Sequence, residues 1–487
     1  MELNRIRVFA FLFCLCLITF FTSLNNEFLL DDYTLLLNQN QWPRGELLQC
    51  NTQSLSHHIY LRPVAHLINM AEFRFFKANP ASYHILNIIL LWLGGATLYL
   101  ILRVVFKNEA VAVMSASFYC THPINGILVN FKNATCFAFL VVMMNASILF
   151  YLRYMETRNR KLRMASLAFF ITALLCHELV VAYPMYLYAL IFCGYGWSAR
   201  EAWRKSQIYF IIVGLYLIGR IFVMSIHQTV MAVLMRLDIT SLEYLSGYAQ
   251  IIYWYVVRLF TLEGIVFIWN ATLDGARHGF WILLLAGFVV GLLVFVKTFK
   301  GNKPLQLGLL WLGIGCLPVT IACVTRAAFG IYIEPHWMLY SSMGFFIIIA
   351  ALLHQAYQRL GLIWARILFL TLLITYMTVS HHYNYLWAES KRYCRYWHHH
   401  APNNYWVNLH LSIEHIKDKE FAQAKPYLKH ILDLGIEHED VYGNLGIIEY
   451  HLGNLQSASA YFKQALHKNP SNPTTKKYLS LINLTEQ

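Results

Sequence analysis

The chain has 487 residues, 58% of them hydrophobic and only 13% charged, with a net charge of +13. A soluble domain is nearer about one-quarter charged, so a soluble enzyme is excluded and a polytopic membrane protein is indicated. The positive charge lies in short loops between apolar runs, where Lys and Arg set orientation; no basic patch on a soluble domain points to nucleic acid.

In chain order, Arg5 and Arg7 precede the first apolar run, Val8 to Leu24. No small-residue cleavage site follows Leu24, so the run reads as an uncleaved anchor with its N-terminus in the cytosol. Asp31 and Asp32 come next, outside the cytosol at headgroup level, a costly place for charge that does nothing. Residues 25–83 read as one long polar loop, interrupted by Pro43, Gly45, Pro63 and Pro80. Apolar runs follow at His84–Leu102, Ala110–Cys120 and Ala134–Leu152. The second is too short to span and is expected to continue through Thr121, His122 and Pro123. Arg153, Arg158, Arg160, Lys161 and Arg163 fix the next loop in the cytosol.

Leu162–Cys176 and Leu179–Tyr195 are separated by His177 and Glu178, and Gln207–Ile226 is a further run. Tyr244–Trp269 reads as a re-entrant hairpin, because a full crossing would place Lys297, Lys300 and Lys303 outside. Phe280–Val296, Leu305–Val324, Met338–Tyr357 and Ile363–Ser380 complete a topology of about eleven spans with the C-terminus outside. The fold class is therefore all-α: a polytopic membrane bundle over 1–380, a linker over 381–404 and a helical domain over 405–487. Cys50 and Cys394 lie in polar segments read to one side, as a disulfide or as two free thiols.

The last segment carries a 34-residue period: Leu411/Leu445, Ser412/Gly446, Ala424/Ala458, Leu428/Phe462 and Ile431/Ala465, with Pro470 after the second unit. This period looks like tetratricopeptide repeats. Two units are few for a free-standing solenoid, so docking on the membrane domain or a partner is expected.

The candidate chemistry lies where polar residues break the apolar pattern. Asp31 and Asp32 could supply a base for an acceptor hydroxyl, or simply start a solvated loop. Arg62 offers a rigid fork for phosphate, or an interfacial anchor. His84 and Asn87 share a helix face, and His122 interrupts a run before Pro123. Asn125, Asn130 and Lys132 read as polar neighbours that satisfy the freed backbone. Glu178, beside His177, sits between two long runs and marks a cavity or a buried partner. Glu334 is a third acid on the outer face, with Arg326 as its partner or as a second phosphate ligand. The run His398, His399 and His400 fits no metal cage. No nucleotide-binding Gly-rich loop is present.

The order of Phe28-Leu29-Leu30-Asp31-Asp32, Tyr60-Leu61-Arg62-Pro63, His122-Pro123-Ile124-Asn125 and Cys176-His177-Glu178 resembles the C-class (GT-C) membrane glycosyltransferases. It is most similar to the transmembrane and tetratricopeptide-repeat O-mannosyltransferases and their bacterial relatives. The resemblance implies transfer of a sugar from a polyprenyl-phosphate carrier to a hydroxyl of a protein or glycan outside the cytosol. Asp31 or Asp32 would be the base; Arg62 and Arg326 would lie near the phosphate, with His122, His177, Glu178 and Glu334 around the cleft. The family's Lys-Glu pair is His177-Glu178 here, and its Glu-Arg is Glu334-Pro335. The repeats would recruit the acceptor, and their small number points to a bacterial inner membrane with periplasmic repeats, the endoplasmic reticulum with lumenal repeats being the alternative. The competing readings are a non-catalytic membrane scaffold built on the repeats, and a lipid or solute transporter. A divalent-metal requirement and the sugar are left open by the sequence.

Overall fold

The computed structural model describes residues 5–29, 32, 62–226, 240–272, 275–299, 301–322 and 330–485. It is an all-α bundle. The helices are α1 Arg5–Phe20, α2 Pro63–Phe76, α3 Pro80–Phe106, α4 Glu109–Thr121, α5 Thr135–Thr157, α6 Arg160–Leu174, α7 Tyr183–Tyr195, α8 Ala199–Ile226, α9 Ser241–Thr261 and α10 His278–Thr298. They continue as α11 Lys303–Ala322, α12 Leu339–Leu360, α13 Leu362–Trp387, α14 Ser390–His400, α15 Tyr405–Lys417, α16 Phe421–Asp433, α17 Glu439–His451, α18 Leu455–Lys468 and α19 Pro473–Thr485. Seven segments among the described residues are long and apolar enough to cross a membrane: Arg5–Asn25, Pro80–Phe106, Lys132–Thr157, Glu178–Tyr195, Gly275–Thr298, Pro335–Leu360 and Leu362–Trp387. The chain is a membrane protein.

Three sequence expectations need correction. Residues 25–83 are not one loop, since α2 occupies part of it, begun by Pro63 at a position where its missing N–H costs nothing. The run after Ala110 does not continue as helix through His122 and Pro123. α4 stops at Thr121 and His122 is extended, as the ring of a following proline requires. The expected linker is mostly helical: α13 runs on to Trp387 and α14 fills Ser390–His400.

Close helix crossings are set by glycine. A Cβ on Gly308 of α11 would stand 2.7 Å from the Gly344 carbonyl oxygen of α12, so the two backbones touch there. Gly94 and Gly95 of α3 likewise admit Tyr119 and Cys120 of α4. Buried hydroxyls tie α5 to α7 and α6 to α8: Ser147 Oγ lies 2.6 Å from Tyr183 Oη, and Ser166 Oγ lies 2.6 Å from Tyr209 Oη. Such groups need partners because nothing in an apolar interior replaces water. An amide network does the same for α1 and α13: Asn26 Nδ2 donates to Asn130 Oδ1 at 2.9 Å, and Asn130 Nδ2 to Asn384 Oδ1 at 2.9 Å.

The segment expected to be a re-entrant hairpin is α9, capped by Leu262 in the left-handed region, followed by non-helical chain. It ends in strand β1 (Trp269–Asn270), antiparallel to β2 (Tyr332–Ile333). Its buried backbone is satisfied from the C-terminal side. Ile265 N–H donates to Tyr383 Oη at 3.0 Å, Gly264 N–H to Tyr396 Oη at 2.7 Å, and Trp397 Nε1 to Ile268 O at 2.7 Å. Trp397, Val407 and Leu411 join the core of the bundle, so the C-terminal helices dock on it. Within them a two-helix unit recurs after 34 residues, at Tyr405 and Glu439 and at Phe421 and Leu455. Gly446 lies against the Phe462 ring where α17 crosses α18.

Candidate functional site

The turn Lys132–Ala134 and the first residues of α5 gather most of the residues singled out in the sequence. Asp32 is 1% exposed. Its Oδ2 accepts the Lys132 N–H and its Oδ1 the Asn133 N–H, both at 3.2 Å. Its own N–H donates to Leu29 O at 3.1 Å. Burial drives the Asp32 carboxyl up to about 7; the Lys132 charge and the amides oppose this only in part.

Lys132 itself is 0% exposed. Its Nζ turns toward α2, donating to Asn69 Oδ1 at 2.8 Å and facing Glu72 Oε2 at 3.4 Å. Glu72 is 3% exposed and, with Ala65, is one of two buried residues on α2. Burial raises its carboxyl, with Lys132 opposing. The buried Asn133 Oδ1 has no hydrogen-bond partner.

A second charged group stands at the break between α6 and α7. Glu178 Oε2 receives Arg62 Nε at 2.8 Å and Nη2 at 2.7 Å, while Oε1 receives Arg220 Nη2 at 2.5 Å. His177 caps the following turn: its Nδ1 accepts Leu179 N–H at 3.2 Å, which places the proton of the neutral ring on Nε2. The His177 ring packs on Phe137 at 4.6 Å, and the His336 ring packs on the same Phe137 at 4.2 Å. His336 Nε2 pairs with Glu334 Oε2 at 3.0 Å. Cys136 and Cys176 join the two groups: Cys136 Sγ reaches Asn133 O at 3.4 Å, and Cys176 Sγ reaches Cys136 O at 3.5 Å. Beside them a small, mostly apolar crevice is lined by Phe137, Met144, Leu179, Tyr186, His336 and Trp337, among others.

Asp32, Arg62, His177, Glu178 and Glu334 are thus brought to one place by separate segments. His122 is not brought there. Its Nδ1 accepts Ile124 N–H and its Nε2 meets Leu259 O at 3.1 Å, while Phe345, Phe346 and Tyr376 surround the ring. It is a satisfied core histidine, not a cleft residue. His84 is similarly placed between the Val129 and Asn26 carbonyls. Asp31, Arg326 and Cys50 lie outside the described residues, and Cys394 is a buried free thiol.

Sequence reasoning missed Arg220 and Glu72. A single arginine inside the run Gln207–Ile226 was the available signal for the first, since such a residue marks a partner or a pathway. Nothing in the sequence pairs Glu72 with Lys132. No protein-family model matches the chain, and no curated protein matches it.

Proposed function

We propose that the protein is a membrane glycosyltransferase of the C class. It transfers a sugar from a polyprenyl-phosphate carrier to a hydroxyl of a protein or glycan on the extracytoplasmic side. One observation supports this above the rest: Asp32, Arg62, Glu178 and His336 come from distant segments and converge on the start of α5, beside a small, mostly apolar crevice. A buried acid raised toward neutral pH, with two guanidiniums held on Glu178 across the start of α5, suits a hydroxyl acceptor meeting a lipid-borne phosphate.

In this reading the Asp31–Asp32 pair provides the base, with the Asp32 carboxylate taking the acceptor proton. Arg62, Arg220 and Arg326 counter the charge that gathers on the departing phosphate. Glu178 holds two of these guanidiniums in place. The C-terminal hairpins are tetratricopeptide repeats that present the acceptor. The bundle makes about eleven crossings, with the repeats outside, in the periplasm of a bacterium.

The test is transfer from a radiolabelled polyprenyl-phosphate sugar by the purified protein in lipid nanodiscs, with Asp31→Asn and Asp32→Asn made separately. Full activity in both removes the base. A reporter fused after Ser380 is expected to score as extracytoplasmic; a cytosolic score overturns the topology.

A further inference from the structure

Two sulfur atoms meet where the two charged groups adjoin. Cys136 stands in the first turn of α5, shortly after Asn133, whose N–H holds Asp32. Cys176 stands in the break between α6 and α7, shortly before Glu178. The register of the helices matches them. Ser147 of α5 lies 3.1 Å, Oγ to Oγ, from Ser166 of α6. Further along, the rings of Phe137 and His177 lie 4.6 Å apart, which is the order of an antiparallel pair. Cys136 and Cys176 are the preceding residue on each side, and Cys176 Sγ reaches the Cys136 carbonyl oxygen at 3.5 Å. We infer that Cys136 and Cys176 are a modification site: they form a reversible disulfide that ties the start of α5 to the α6–α7 break.

Both thiols are lightly held. Cys136 Sγ donates to Asn133 O at 3.4 Å, and Cys176 Sγ to the Cys136 carbonyl. A thiol is a weak donor, so little is lost when both protons leave. The Cys136 carbonyl also belongs to the hydrogen-bond ladder of α5 and keeps that donor. Cys176 lies in the turn that follows α6, with its N–H on Ala173 O at 3.0 Å. Outside a helix the χ1 well that a preceding turn would block is open, so its sulfur can swing toward a neighbour. Exposure separates the two residues: Cys136 is partly exposed and Cys176 is buried. Cys136 is therefore the sulfur that a reagent in solution meets first, and Cys176 the one that resolves the product.

The oxidant is a small-molecule disulfide. The Cys136 thiolate attacks one of its sulfurs, the S–S bond of the reagent breaks, and one thiol leaves with a proton. The Cys176 thiolate then attacks the Cys136 sulfur of the mixed disulfide and expels the second thiol, which takes the other proton. Two electrons and two protons pass from the cysteine pair to the reagent, so one disulfide forms as another is consumed. The new bond joins the turn beside Asp32 to the break that carries Glu178. Its occurrence in the cell rests on the extracytoplasmic reading, because disulfides persist in oxidising compartments. The bond-forming chemistry does not.

The full-length protein in nanodiscs is reduced, freed of reductant and treated with oxidised glutathione. It is then denatured in iodoacetamide, and its peptides are mapped by mass spectrometry. The expected main product is a peptide pair joined through Cys136 and Cys176, and dithiothreitol returns both thiols. Cys16 and Cys120, both buried in the bundle, are expected to be recovered as alkylated thiols. Cys176→Ser is expected to stop at the mixed disulfide, with one glutathione on Cys136. Recovery of Cys136 and Cys176 as separate alkylated thiols in the parent overturns the inference, and so does Cys136 joined to any other cysteine. Should Cys176→Ser fail to fold, the map of the parent decides on its own. Sugar transfer by the reduced parent reads the other question: its absence defeats the transferase reading and leaves the peptide map standing.

Discussion

The two charged groups at the start of α5 are built on opposite principles. Around Glu178 the cations outnumber the acid: two guanidiniums close on one carboxylate, and each of its oxygens is engaged. Around Lys132 the contacts are divided: its backbone N–H holds Asp32, while its ammonium turns to Asn69 and Glu72 on α2. The first arrangement fixes a charge in place. The second leaves the Asp32 carboxyl buried without a cation in direct contact, and burial raises it to about 7.

The comparison can be broken most forcefully at Asp32. Asp32→Asn is expected to lower sugar transfer by about 10²- to 10⁴-fold, the usual worth of a general base. The same change is expected to leave the melting temperature of the nanodisc protein nearly where it was. It removes a buried charge and also one of two amide contacts, and the two effects oppose. A large loss of stability together with activity would make Asp32 a structural residue.

Glu178→Gln should do the reverse. It strands Arg62 and Arg220 against each other, and the expected cost is about 2–4 kcal/mol of stability, discounted for partial solvent access, as read by thermal unfolding. An unchanged melting point would show that the arginines find water, and that the group does not hold the site together.

The pH dependence is the next and milder effect. Burial favours the neutral Asp32 carboxyl, so its contribution to stability is complete below the unfolded value of 3.8 and is lost as pH rises through about 7. Transfer runs the other way, rising through about pH 7 as the carboxylate forms. Initial rates measured across that window should show the rise, and the Asp32→Asn protein should not.

The smallest effect belongs to a partly exposed ion cluster. Lys391 on α14, its side chain 12% exposed, meets Asp418 at 2.5 Å and Glu420 at 2.6 Å, the two acids being 53% and 36% exposed. Lys391→Ala is expected to shift the melting temperature by less than about 2 °C, because solvent screens such pairs. A larger shift would mean that the docking of the C-terminal helices hangs on this contact.

Much of this was legible in the sequence, and the limits have physical causes. Apolar runs mark helices because the bilayer demands internal hydrogen bonding, so α3, α5, α7, α12 and α13 stand close to where the pattern puts them. Glu178 was visible because an acid between two such runs is expensive. His122 misled for the same reason: a polar residue before proline looks like a cleft residue, yet the backbone at the end of α4 supplies its partners. α2 was hidden because its 14 residues are too few to read as a span, although Val64, Ala65, Ile68, Phe73 and Phe76 pack inward. The Lys132–Glu72 contact joins positions far apart in sequence, and pairing of that kind is written in the fold alone.

The crossing of α11 and α12 has a mechanical consequence. Their backbones meet at Gly308 and Gly344, with no side chain between to act as a cushion. A methyl group added at either glycine would meet the facing backbone and force α11 and α12 apart, and with them the support beneath the His336 ring where it packs on Phe137.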